Sequence, residues 1–295
     1  MPSFAAQGVA AHYLEWQAGL EWEAGHRGRP VVLIHSGSNS ASQWQEVAAR
    51  LAARHHLLAP DLYNCGWTSE WPGPGPLTFD AEAELVQALI ERFGGRAHIV
   101  GHSFGGGVAL RIAARDRDAV DTLTLIEPPG YPMLSAAGRT DLYAGYAGVR
   151  DRFLAAAAEE DYEGAWRTFI DHYHGRVGAW EALSERAQRS LMARTPTQIG
   201  VYQAQDSNPT TLQEIARLGA ETLLIRCEHA AAAECGVCDL IADAAPDTRS
   251  LVIAGAGHMS PVSHADEVAA AIDAHIGRAG DRPDTRPQAG ERAER

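Results

Sequence analysis

Short strand-length segments recur along the chain, fully apolar at 31–34, mostly apolar at 97–100, and found again at 57–60, 120–126, 221–226 and 248–253. Runs of this length are expected of strands covered on both faces. Between them the apolar residues fall three and four apart, as on the buried face of a helix. Trp44, Val47, Ala48 and Leu51 do so, as do Val108, Ala109, Ile112 and Ala113, and the same spacing marks 77–93, 235–244 and 265–276. Partial alternation over 8–16 and 20–23 predicts an antiparallel pair leading into the sheet. Pro72-Gly73-Pro74-Gly75-Pro76 is loop punctuation.

Strand and helix alternate up to residue 130 and again from 209 to 278, which predicts an α/β fold with a doubly wound, mostly parallel sheet. The interval 131–208 carries no strand spacing. Ala165, Trp166, Phe169, Ile170 and Tyr173 are helically spaced there, with Gly175 as a stop, so the interval is read as a helical lid inserted into the core of 1–130 and 209–278. Tyr143, Tyr146, Trp166, Tyr173 and Trp180 supply either the lid's own core or an apolar substrate pocket beneath it. Residues 279–295 are Pro, Gly and charge without periodicity, the pattern of a disordered tail.

Composition narrows the partners. A formal net charge of −13, with every one of the 25 basic residues an arginine, argues against nucleic acid or an anionic membrane surface. A small apolar or neutral ester-like substrate is therefore expected. No run reaches 18 apolar residues and no basic segment with an apolar stretch opens the chain, so a cytoplasmic location is expected. Four cysteines suit a reducing compartment. Cys235-x-x-Cys238, with Cys227 and His229 upstream, could supply four zinc ligands, but a cysteine pair in Ala-rich helical sequence is read as buried thiols, and neither a metal nor a cofactor is expected.

The chemistry centres on Gly101-His102-Ser103-Phe104-Gly105. A strand ends just before it and a helix begins just after, so Ser103 falls on a sharp turn, where a Cβ at either glycine would clash. Downstream, Gly255-Ala256-Gly257-His258 follows the final strand. Upstream, His35-Ser36-Gly37-Ser38-Asn39-Ser40 is a small-residue loop after the strand 31–34, of a kind that can turn backbone N–H groups toward a bound oxygen. A third loop has Asp61 followed by Gly66.

With these four places the chain resembles the α/β-hydrolase family over residues 8–278. The resemblance implies Ser103 as nucleophile, His258 as base, and the N–H groups of Gly37 and Phe104 as oxyanion donors. Ser36 stands where the family usually has glycine. The family's usual acid, an aspartate after the strand 221–226, is also missing, because Ala230 occupies its place. Some members take the acid from the end of the strand after the elbow helix, which here is Glu127; Glu228 and Glu234 are the alternatives. The order Ser103, Glu127, His258 keeps nucleophile, acid, base. The resemblance thus implies hydrolysis of a carboxylic ester or thioester through an acyl-enzyme. Carbon–carbon bond hydrolysis of a diketone and a hydrolase-like binding protein without an acid are the other readings.

Overall fold

The computed structural model describes residues 1–17, 28–245 and 247–280. The strands are β1 (Ser3–Ala6), β2 (Val9–Trp16), β3 (Val31–Ile34), β4 (Leu57–Pro60), β5 (Ala97–His102), β6 (Val120–Ile126), β7 (Glu221–Cys227) and β8 (Thr248–Ile253). They form one sheet in the order β1-β2-β4-β3-β5-β6-β7-β8, parallel from β4 to β8 and antiparallel at the β1–β2–β4 end. The helices that flank it are α1 (Gln45–Leu51), α2 (Phe79–Arg92) and α3 (Phe104–Arg115). Then come α4 (Tyr131–Ala136), α5 (Thr140–Ala158), α6 (Tyr162–Tyr173), α7 (Glu185–Met192), α8 (Thr195–Asp206) and α9 (Leu212–Ile215). Last are α10 (Ala232–Ala244), α11 (Ser260–Ser263) and α12 (Ala265–Gly280).

The largely apolar composition of the central strands follows from the two faces of this sheet. Successive side chains of a strand point to opposite sides. Val32, Ile34, Ile99, Leu123, Leu125 and Leu224 join a core with α2, α3 and α10, while Val31, Leu33, Val100, Ile126, Leu223 and Ile225 join a second core with α1 and α12. A strand buried on both sides leaves little room for polar residues, and those that β6 does carry, Thr122 and Thr124, are themselves buried.

Helices α4 to α8 fill the interval 131–208. The aromatic residues of this interval are continuous with the first core: Tyr146, Phe153, Trp166 and Tyr202 from the helices, with Trp180 from the α6–α7 connection, pack into the same cluster as Phe79 and Phe104.

The N-terminal edge holds a strand that the spacing does not predict. β2 pairs with β4 on one side and with β1 on the other, and β1 joins it through Gln7 and Gly8, both at positive φ (44° and 84°), as a two-residue primed turn requires. β1 is four residues with only Phe4 and Ala6 buried, too short and too alanine-rich to give a periodic signal. The expected strand at 20–23 lies outside the described residues. At the other end α12 runs on to Gly280, two residues into the expected tail, and 281–295 lie outside the described residues.

Candidate active site

Register assembles the site. The ends of β5, β6, β7 and β8 are aligned, with His102 opposite Ile126, Ile126 opposite Ile225, and Cys227 opposite Ile253. The chain leaving each strand hooks onto its neighbour: the Ser103 N–H donates to the Ile126 carbonyl at 2.8 Å, and the Glu127 N–H to the Ile225 carbonyl at 3.1 Å. Ser103 and Glu127 therefore emerge side by side at the carboxyl ends of adjacent strands, where open α/β sheets bind ligands.

The turn at Ser103 is tight. Its backbone has φ 51° and ψ −125°, a conformation rare for a side-chain-bearing residue. A Cβ on Gly101 would overlap the Gly105 carbonyl, and one on Gly105 would overlap the carbonyls of Ile34 and His35. Both glycines of the motif are therefore demanded by backbone-to-backbone approach.

Three side chains meet in line. The Ser103 Oγ lies 3.0 Å from His258 Nε2, and His258 Nδ1 lies 2.6 Å from Glu127 Oε2. The other Glu127 oxygen accepts the Cys227 N–H at 2.8 Å, so the carboxylate is held from two sides, and it is 1% exposed. Burial alone would raise the Glu127 pKa. The hydrogen bond and charge of His258, with the Cys227 N–H, outweigh burial and hold it below the ordinary carboxylate value. For His258 burial alone would lower the pKa; its bond to Glu127, with the charges of Glu127 and Glu234, leaves it raised. Glu228 instead accepts the Gly255 N–H at 2.6 Å, and Glu234 accepts the Tyr131 hydroxyl at 2.6 Å.

Gly37 and Phe104 both line the cavity next to Ser103. Phe104 is the first residue of α3, so its N–H has no intrahelical acceptor and sits at the positive end of the helix dipole. Ser36, at the position usually held by glycine, has a visible use. Its N–H and hydroxyl both donate to Gln43 Oε1, at 3.1 and 2.6 Å, and Asn39 Nδ2 donates to the same oxygen at 3.0 Å. With that oxygen saturated, the Gln43 NH₂ faces His102 Nδ1 at 3.0 Å. Nδ1 must then be the acceptor, which puts the His102 proton on Nε2, where it donates to the His258 carbonyl at 2.8 Å. Burial, helped by the charge of His258, depresses the His102 pKa to about 3, so this ring stays neutral. A continuous set of buried bonds thus ties the loop bearing Gly37 to the loop bearing His258.

His258 is also sandwiched. The Tyr173 ring from α6 lies 4.7 Å from its imidazole and the His102 ring 5.0 Å. Neither these contacts nor the Gln43–His102 bridge has a signal in the sequence. Each joins residues from separate elements, and none recurs with a period.

Above Ser103 opens a cavity of about 160 Å³. Trp166, Phe169, Ile170, Tyr173, Leu191 and Val201, all from the inserted helices, make its apolar wall. Of the aromatic residues expected at a pocket, Trp166 and Tyr173 line it, whereas Tyr146 and Trp180 are buried in the core and Tyr143 packs against it. The four cysteines are free thiols, and among the described residues no group of three or more His, Cys, Asp or Glu side chains could hold a metal ion. Burial pushes the Cys227 thiol up to about 12.

This sheet, with a strained serine at the end of its central strand and a histidine after the last one, defines an α/β hydrolase. The alpha/beta hydrolase family profile matches residues 31–271; the chain belongs to that family and is a hydrolase enzyme. Among its relatives is a lipase of Mycobacterium tuberculosis, 29% identical over 273 residues, which cover 84% of this chain and 93% of the lipase. A 2-hydroxymuconate semialdehyde hydrolase of Pseudomonas putida is 27% identical over 262 residues, 85% of this chain and 88% of that one. In fold the chain is similar to an α/β hydrolase from a Medee basin deep-sea metagenome library, with a TM-score of 0.75, 18% identity, and coverage of 97% of this chain and 100% of that one. A meta-cleavage product hydrolase of Pseudomonas fluorescens superposes with a TM-score of 0.69 at 19% identity, covering 95% of this chain and 98% of that chain. Among the described residues no helix is long and apolar enough to cross a membrane.

Proposed function

We propose that the protein is a serine hydrolase of small carboxylic esters or thioesters, acting in the cytoplasm through an acyl-enzyme. The Ser103–His258–Glu127 line of hydrogen bonds carries this reading. His258 Nε2 takes the Ser103 proton as Oγ attacks the carbonyl carbon. The oxyanion is held by the N–H groups of Gly37 and Phe104. The bond to the leaving alcohol or thiol then breaks as His258 returns the proton to it, and a water activated by the same imidazole releases the acid and restores Ser103. Glu127 orients the ring and stabilises the imidazolium. The acyl group lies against the apolar wall, and helices α4 to α8 act as its lid. The alternative of a binding protein without an acid loses its ground, because Glu127 stands at the imidazole.

A relative named 2-hydroxymuconate semialdehyde hydrolase, matched over 85% of this chain, favours carbon–carbon bond hydrolysis of a diketone as the second reading, since the same residues serve it. Labelling with a fluorophosphonate followed by peptide mass spectrometry tests the shared step. The adduct is expected on the peptide containing Ser103, and an adduct elsewhere or none overturns both readings. Turnover of chromogenic esters graded by acyl length, beside a diketone, then separates them.

A further inference from the structure

Arg194 stands out in the cavity. The chain carries 38 acidic residues, yet among the described residues no aspartate or glutamate lines this space, whereas Arg194, His174 and His258 do. Among the described residues the Arg194 guanidinium makes one hydrogen bond, from Nη1 to the Ser38 carbonyl at 2.9 Å, and has no ion-pair partner. A guanidinium has five N–H donors and no acceptor, so most of its capacity is unspent. Beside it Gln198 is 2% exposed, and its Oε1 is taken by the Ser38 hydroxyl at 2.9 Å. The remaining capacity of Gln198 is its NH₂, again a donor. A half-buried cation and a buried amide, both offering donors to a cavity that no carboxylate lines among the described residues, match an anionic acceptor, and a planar one fits the guanidinium fork best.

We infer that Arg194 and Gln198 form a carboxylate subsite, so that the preferred substrate is an ester bearing a free carboxylate at a distance from the scissile bond. This rests on the reading of Ser103 as nucleophile and adds the substrate's charge to it. The lining of the cavity, and not the acidic exterior, sets what is accepted.

The test uses matched pairs of chromogenic esters, with a carboxylate on the acyl or on the alcohol side, each paired with a neutral carboxamide of equal length. In the wild type at least one anionic member is expected to be favoured in kcat/KM by about tenfold or more, the range of a charge-assisted hydrogen bond. Arg194→Gln should abolish that preference and Arg194→Lys keep part of it, and added salt should erode it in the wild type. Loosening of the Ser38 loop acts on both members of a pair and cancels in their ratio. A wild type with no preference in any pair, or a preference that survives Arg194→Gln, overturns the subsite. Fluorophosphonate labelling of the wild type separates the two readings: a labelled enzyme without preference loses only the subsite. If labelling fails, quenching of tryptophan fluorescence by glutarate but not glutaramide, lost in Arg194→Gln, still decides the subsite, because Trp166 lines the same cavity.

Discussion

Glu127 holds a backbone conformation that glutamate seldom adopts, at φ 44°. Such strain is of order 1–3 kcal/mol and persists only where surrounding contacts over-determine it. Here the contacts are the N–H bond to Ile225 and the two carboxylate bonds to Cys227 and His258. Glu127→Gln keeps the shape but loses the charge, so kcat should fall at least about a hundredfold with little change in Tm, whereas Glu228→Gln and Glu234→Gln lose less than about tenfold. The pH profile gives an independent reading. On the proposed mechanism His258 must be neutral to accept the Ser103 proton, so kcat/KM should fall as pH drops through the His258 pKa, which lies above the ordinary 6.5. The bond to Glu127 and its charge, with a smaller contribution from the charge of Glu234, raise it against burial. Glu127→Gln should therefore move the acid limb to lower pH even as the plateau drops; an unmoved limb would show that another group partners the base.

At the scale of elements, the site depends on how closely strands and loops approach one another. Gly101→Ala would drive a methyl into the Gly105 carbonyl of α3, with no flexible side chain to yield. The expected result is loss of soluble, folded protein, checked by circular dichroism and yield; a folded Gly101→Ala variant would mean that the elbow can open. The bridge between the two loops is tested by Gln43→Leu. It strips the acceptor from Ser36 and Asn39 and the donor from His102, leaving buried polar groups unpaired. If the bridge positions the oxyanion donors against the base, kcat should fall about ten- to a hundredfold while KM stays within a few-fold, and binding of a phosphonate analogue should weaken in parallel with kcat. Equal loss of substrate and analogue binding would point to a general collapse of the pocket. Elements of this kind were unevenly legible beforehand. Val31–Ile34, Val120–Ile126 and Thr248–Ile253 declare themselves because burial on both faces, or a boundary of Pro, Gly and Asp, leaves a local mark. The elbow and the glycine-flanked His258 also carry local marks. Gln43, His102 and Arg194 do not, because their significance lies in which neighbours the fold brings to them. β-Strand register, which the sequence does not show, is what brings Glu127 to the His258 imidazole.

Across the whole molecule, the core beneath the elbow runs without a break from the sheet through α2 and α3 into the inserted helices. A charge forced into that core has no water to solvate it. An ionisable group is there already. Glu82 on α2 is 1% exposed, one of its oxygens accepts the Tyr63 N–H at 3.2 Å, and the other has no partner among the described residues. Burial lifts its pKa from 4.5 to about 8, against the lowering effect of the Tyr63 bond. In the unfolded chain Glu82 releases its proton near 4.5, whereas in the folded protein it keeps the proton until about 8. Between those values the folded state binds the extra proton, so stability falls as pH rises through this window and levels off above it. Glu82→Gln preserves the acceptor for Tyr63 and removes the ionisation. The variant should match the wild type in Tm near pH 4.5, gain on it steadily as pH rises, and hold a constant advantage above about pH 8, on the order of a few kcal/mol. Parallel melting curves of the two proteins from pH 4.5 to 9 measure this. A Tm difference that does not grow across the window would mean that Glu82 reaches water or a cation in the folded state.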